Sequence, residues 1–326
     1  MVNRIIAGTA VLMAALLAAC GTSAHAPAGS PTGAGPVTAY VVSGDGAVTP
    51  INTATKKVGP PIPVGGEPKA AAITPDGKTV YVADSNGNTV TPISTATNKA
   101  GPAITVGNSP YAIAITPDGK TAYVVNFLSG TVTPISTATN TAGPAITVGT
   151  GPWGIAITPD GKTVYVVNNV SATVTPISTA TNTAAPAITV GSEPQSIAIT
   201  PDGKTAYVAN SNADTVTPIS TTTNTASPAI TVGNIPYAIA ITPDGKTAYV
   251  PSGADTVTPI STTTNKADPA IAVARDPVAI AITPDGKTIY VVNTNADTVT
   301  PISAAANKAD RAIPVGNDPQ DIVITP

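Results

Sequence analysis

From residue 38 to its end the chain repeats one short pattern of apolar and polar positions. In one such unit, residues 111–116 (YAIAIT) alternate large and small apolar side chains, and two β-branched runs follow, 121–126 (TAYVVN) and 131–136 (TVTPIS). Alternation of this kind over six residues predicts strands rather than helices. A polar turn at 137–140 then leads to a shorter apolar run, 145–148 (AITV), read as the outer strand. The runs are apolar at positions of both parities, as expected of sheets covered on both faces.

The connection between the first two strands predicts a tight hairpin. In Thr116-Pro117-Asp118-Gly119-Lys120, Pro presets φ, Asp bonds its own backbone and Gly accepts a left-handed site. The same turn recurs with its aspartate at Asp76, Asp118, Asp160, Asp202, Asp244 and Asp285, at spacings of 42 or 41 residues. A Tyr-Val pair recurs at Tyr40, Tyr81, Tyr123, Tyr165, Tyr207, Tyr249 and Tyr290, and a TPI triplet follows each pair. A purely β unit of about 42 residues is one four-stranded propeller blade. Proline in every third strand belongs at an edge or a bulge, so its nitrogen is expected to face an outer strand whose pairing is short or interrupted there.

The two ends of the repeat are complementary. Tyr40 opens a second strand with no inner strand before it, while residues 321–326 (DIVITP) are an inner strand that stops where its turn would begin. Joined, they make a seventh blade and close a ring, which leaves no unpaired edge. The expected fold is therefore all-β: one seven-bladed β-propeller over residues 38–326, closed by the C-terminal inner strand pairing with N-terminal strands.

The units PxxIAITPDGKTxYVVN and TVTPI resemble the YVTN-repeat, YncE-like propellers of bacterial and archaeal envelopes. That resemblance spans residues 38–326 and implies an envelope binding or scaffolding role. The second strands depart from it, reading YVVN, YVAD, YVAN or YVPS, and these departures are expected to leave the fold unchanged. WD repeats fit less well, since no Trp-Asp or Gly-His pair occurs.

The N-terminus is read as a processing signal. Met1 to Arg4 is a short positive stretch, Ile5 to Leu16 is apolar but shorter than a membrane span of about 20 residues, and Leu17-Ala18-Ala19-Cys20 resembles the lipobox of bacterial lipoproteins. By that resemblance residues 1–19 are removed and Cys20 is lipidated, anchoring an exported protein on the extracytoplasmic face of the membrane. Residues 20–37, small and rich in Pro and Gly, are then the lipidated cysteine and a flexible tether.

Composition narrows the chemistry. Net charge is −3 and arginine occurs only at Arg4, Arg275 and Arg311, which argues against a nucleic-acid partner. The propeller region contains no histidine and no cysteine, so Ser-His-Asp, Cys-His and His-ligated metal or haem sites are excluded there. No cofactor is called for. Asn293, Asn295 and Asp297 place oxygens at alternate positions, as calcium loops do, but lack the following Gly and the distal Glu.

Comparison of the units with one another locates the variation. It collects in the loop between second and third strands and in the segment leading to the next inner strand, both on one rim of a propeller. The four aromatics outside the Tyr-Val positions, Tyr111, Phe127, Trp153 and Tyr237, all fall there, as do Glu67, Glu193, Arg275 and Asp276. Exposed aromatics beside polar groups are common binding anchors, although they can equally plug the axial channel. The expected function is a monomeric, non-catalytic envelope lipoprotein that binds a protein, peptide or glycan through this rim. A propeller lactonase-like hydrolase using rim carboxylates or calcium, and a structural surface or adhesion protein, are the alternatives.

Overall fold

Each hairpin is locked by its own side chains. The computed structural model describes residues 38–315 except 44, 45, 53, 54 and 56, together with residues 319, 322 and 324. In the third unit Asp118 Oδ1 accepts from Thr116 Oγ1 at 2.6 Å and from Lys120 N at 3.1 Å, while Thr116 Oγ1 accepts from Thr121 N at 3.1 Å. Gly119 takes φ +71°, and a Cβ there would stand 3.3 Å from Pro75 Cδ of the preceding turn, so glycine serves both backbone and neighbour. The hydrogen bond from Thr116, then that from Lys120 N, holds the Asp118 carboxyl below its ordinary value. The other five turns repeat this arrangement.

The turns connect strands as the pattern predicts. In that unit the inner strand is Pro110–Ile115, the second Thr121–Asn126 and the third Thr131–Ser136, all antiparallel. The outer strand differs from the single run expected at 145–148. It is two short pieces, Thr141–Ala142 and Ile146–Thr147, both paired to the third strand. Proline is the cause. The Pro134 carbonyl accepts from Gly143 N at 2.7 Å, so the proton-less nitrogen beside it also faces outward, and the outer strand bows away at residues 143–145.

Seven such sheets form a seven-bladed propeller, counted here by the tyrosines Tyr40 (blade 1) through Tyr290 (blade 7). Blade 1 comprises Thr38–Ser43, Ala47–Asn52 and Ile62–Pro63 among the described residues. Of its expected fourth strand, residues 321–326, only 322 and 324 are described, neither within a strand, and the signal, Cys20 and the tether lie outside the described residues. Apart from one 3-10 turn, Thr294–Ala296, the described residues are strands and loops, with no helix long and apolar enough to cross a membrane.

The core lies between blades. Tyr123, Val125 and Val132 of blade 3 pack on Ile155, Val164, Val166 and Ile177 of blade 4, and equivalent clusters recur around the ring. Six of the seven Tyr-Val tyrosines also reach over the neighbouring blade. Tyr123 Oη donates to Asn182 Oδ1 at 2.7 Å, and the same bond joins Tyr40 to Asn98, Tyr81 to Asn140, Tyr165 to Asn224, Tyr207 to Asn265 and Tyr249 to Asn307.

One blade breaks the pattern. The inner strand of blade 6 shrinks to Ala240–Ile241, with Pro236 reduced to an isolated bridge to Ser252. Pro251, in the YVPS variant of the second strand, accounts for this. Its carbonyl accepts from Tyr237 N at 3.3 Å, so its nitrogen faces the inner strand with no proton to donate. The YVPS departure, expected to be inconsequential, removes a ladder bond.

Candidate functional site

The variable rim is built from two loops that brace each other. In five blades the residue before the inner-strand proline (Ser109, Gly151, Glu193, Ile235 or Asp276) adopts a left-handed conformation, with φ between 48° and 61°. Its carbonyl accepts from the loop after the second strand, as in Phe127 N to Ser109 O at 2.9 Å and Asn169 N to Gly151 O at 2.9 Å. Beneath this pair the second strand ends in a buried polar residue. Asn168 Nδ2 donates to Thr173 Oγ1 and Thr175 Oγ1, and its Oδ1 accepts from Gly149 N. Blade 2 has Asp84 at that position, 2% exposed, accepting from Gly66 N at 3.0 Å and Glu67 N at 2.8 Å.

The slot directly after the inner-strand proline holds Lys69, Tyr111, Trp153, Gln195, Tyr237 and Val278 in successive blades. Two of the predicted anchors therefore occupy adjacent equivalent slots. Tyr111 and Trp153 lie with ring centroids 4.1 Å apart, and Phe127, from the loop of blade 3, stands 6.3 Å from Tyr111 and 5.7 Å edge-on from Trp153. At these separations the rings fill one another's space, forming a cluster with no room for a guest between them. Burial first, and the Glu67 charge second, push the Tyr111 hydroxyl up to about 12. Leu128 and Val170, both strongly exposed, extend the apolar patch over blades 3 and 4, with Val170 against Gly151.

The remaining candidates are placed apart. Tyr237 lies against Gly253 in blade 6, outside the aromatic cluster. Glu67 pairs with Lys69 Nζ at 2.7 Å and accepts from Ser85 Oγ, on the blade 2 side of Tyr111. Glu193 serves through its backbone: its carbonyl accepts from Ser211 Oγ at 2.9 Å. Asp276 Oδ2 accepts from Asn295 Nδ2 at 3.1 Å, and Arg275 beside it is exposed. The calcium-like trio is not brought together. Asn293 is fully buried with its amide on Thr298 and Thr300, Asn295 turns to Asp276, and Asp297 adopts the left-handed φ of a cap. Among the described residues no three His, Cys, Asp or Glu side chains are grouped to hold a metal. A cleft of about 270 Å³ opens on the opposite face, between the hairpin turns of blades 6 and 7.

Lys69, only 9% exposed, was not singled out from sequence, although its slot matches that of Tyr111 and Trp153. Leu128 and Val170 were missed because loop aliphatics carry no periodic signal. The signal that finds all three is the same: superposing units and reading the column after the proline and the column after the second strand.

Known proteins agree with this geometry. The sequence model of the YNCE-like beta-propeller family matches residues 161–253. No curated protein sequence matches the chain. A solved structure titled Kuenenia stuttgartiensis hydrazine synthase is 24% identical with a TM-score of 0.68, covering 82% of this chain and 92% of that one. A functionally unknown protein from Desulfotomaculum acetoxidans is 21% identical with a TM-score of 0.69, covering 85% and 95%. At these identities the likeness is one of fold. The matched segment spans about two units, and the other units repeat its motifs, so the chain is a β-propeller whose repeats are similar to those of the YNCE-like family.

Proposed function

We propose that this propeller is a non-catalytic scaffold of the cell envelope, held to the membrane through lipidated Cys20, that docks a protein or peptide partner on its variable rim. The observation that carries the reading is the convergence of Tyr111, Phe127 and Trp153 with exposed Leu128 and Val170. The framework around them is nearly constant, so selection for folding alone gives no reason to gather the rings in one sector. A closed cluster flanked by aliphatics suits the apolar anchors of a polypeptide better than a sugar, which stacks on an open ring face.

Two variants test it. Capture from native envelope by the chain from Cys20 onward should fall at least tenfold when Trp153→Ala and Phe127→Ala are combined, with Tm little changed. Equal capture by both proteins removes the rim proposal. Cys20→Ala should shift the protein from the detergent phase to the aqueous phase, and unchanged partition removes the anchor. The reading of a lactonase-like hydrolase has no specific geometric support among the described residues, because Glu67, Glu193 and Asp276 sit on separate blades.

A further inference from the structure

The ring has two chemically different faces, and the chain enters on one of them. Thr38 pairs with Asn52 at the end of the hairpin where other second strands leave the TPDGK turn, whereas Ser43 pairs with Ala47 at the variable rim. Whatever is attached upstream of residue 38 is therefore joined to the turn face, opposite the aromatic cluster.

Charge divides the same way. The turn face carries Lys78, Lys120, Lys162, Lys204, Lys246 and Lys287, each within 3.2–3.7 Å of its aspartate and with side chains 76–81% exposed against 54–56% for the aspartates. These pairs are neutral overall, with lysine outermost. The excess comes from one further column, at the start of the outer strand. That column reads Lys57, Lys99, Thr141, Thr183, Thr225, Lys266 and Lys308 around the ring. Lysine thus occupies blades 6, 7, 1 and 2, a continuous arc flanking the point where the chain enters, and threonine occupies blades 3, 4 and 5. With Arg311 set against Asp268 and Asp310, the arc carries a net charge of +3, whereas the described rim residues number seven acidic against two basic.

We propose that this lysine arc rests on anionic lipid headgroups, so that the tethered propeller stands with its turn face on the membrane and the aromatic rim of blades 3 and 4 directed away from it. The inference rests on the Cys20 anchor. The tether alone does not impose the orientation. Any seventeen-residue link can reach at most about 60 Å, enough for the ring to tumble, while a flexible chain of that length averages roughly 22 Å, close to the surface. A tether of that length brings the ring repeatedly to the surface. Within a Debye length of about 8 Å the lysine arc is drawn to anionic lipid while the acidic rim is repelled.

The test exploits the single cysteine and single tryptophan. The chain from Cys20 onward is coupled through that thiol to maleimide headgroups, whether or not cells lipidate it, in vesicles with or without phosphatidylserine and carrying nitroxide-labelled lipid. Trp153 fluorescence should be quenched weakly on both. In a Trp153→Phe, Ala96→Trp variant the reporter on the turn face of blade 2 should be quenched at least threefold more on anionic vesicles than on neutral ones. That difference should vanish at high salt and in a variant combining Lys57→Glu, Lys99→Glu, Lys266→Glu and Lys308→Glu. Quenching of Trp153 equal to that of the Ala96→Trp reporter, or indifference to lipid charge, overturns the orientation. Because coupling is chemical, either outcome is independent of the detergent-partition result that judges the anchor itself.

Discussion

Asn182 illustrates how one residue type serves two demands. Its φ of 53° is a left-handed site that closes the turn between third and outer strands, a conformation asparagine tolerates better than most residues. The same side chain accepts the Tyr123 hydroxyl of the preceding blade. Turn chemistry and blade-to-blade adhesion are thus joined in one residue, repeated five more times at Asn98, Asn140, Asn224, Asn265 and Asn307. Tyr123→Phe keeps the ring and its packing but removes the donor. It should lower stability by about 1 kcal/mol in urea unfolding, the usual net worth of such a bond. Asn182→Gly preserves the turn while losing the acceptor, so it should cost a similar amount, and the double variant should cost little more than either single one. Additive losses would show that the two residues do not act on one another. The Tyr-Val motif was visible in the sequence, but this partner was not, because the two residues stand 59 positions apart in different units.

At the scale of the strand, local chemistry was the readable part. The second and third strands match their predicted bounds, since six-residue β-branched runs between strong turn signals leave little choice of register. The inner strand starts one residue earlier than the pattern suggested, at Pro110, because the left-handed Ser109 turns the chain there. The pattern places the outer strand at 145–148 with its pairing interrupted opposite the proline; the interruption is present, and an additional short piece at 141–142 lies before it. Periodicity reports which residues are apolar and therefore misses the polar piece at 141–142, whereas the proline on the neighbouring strand marks the break at 143–145. Blade 6 shows the same dependence more sharply. Pro251 withholds a ladder bond, and Ile235, a β-branched residue at φ +53°, holds the chain in a conformation such side chains strongly resist. Pro251→Val should restore the bond, about 1 kcal/mol, but loosens the unfolded chain by about 0.4–1 kcal/mol. Global stability should therefore hardly move, while hydrogen-exchange protection of Ala238 and Ile239 rises. Ile235→Gly should instead raise stability by about 1 kcal/mol by relieving the left-handed strain. If exchange near Ala238 is unchanged in the Pro251→Val protein, the missing donor is not what shortens this strand.

For the molecule as a whole, the blade count followed from period and complementary ends, whereas the cohesion of the ring depends on contacts that sequence order hides. The tyrosine latches are the clearest case, and they make ring stability depend on pH in one direction. Burial first, helped by the nearby turn aspartate, pushes the hydroxyls of Tyr123, Tyr165 and Tyr207 up to about 12. Tyr81 and Tyr249 move the same way, again through burial. A tyrosine titrating higher in the folded ring than in the unfolded chain favours folding while its hydroxyl keeps the proton. That contribution is complete below the ordinary value of 10.0 and is lost as pH rises through about 12. Ionisation also removes the donor from each Tyr–Asn bond and places a charge between blades, so the loss should be shared around the ring. Thermal unfolding should therefore be flat in pH up to about 10 and fall steeply above it, with tyrosinate absorbance and loss of β-sheet dichroism rising together. In a Tyr123→Phe, Tyr165→Phe, Tyr207→Phe protein the starting stability should be lower but the alkaline slope shallower, since three of the titrating groups are gone. An unchanged slope in that variant would assign the alkaline transition to other groups and leave the latches as neutral contacts.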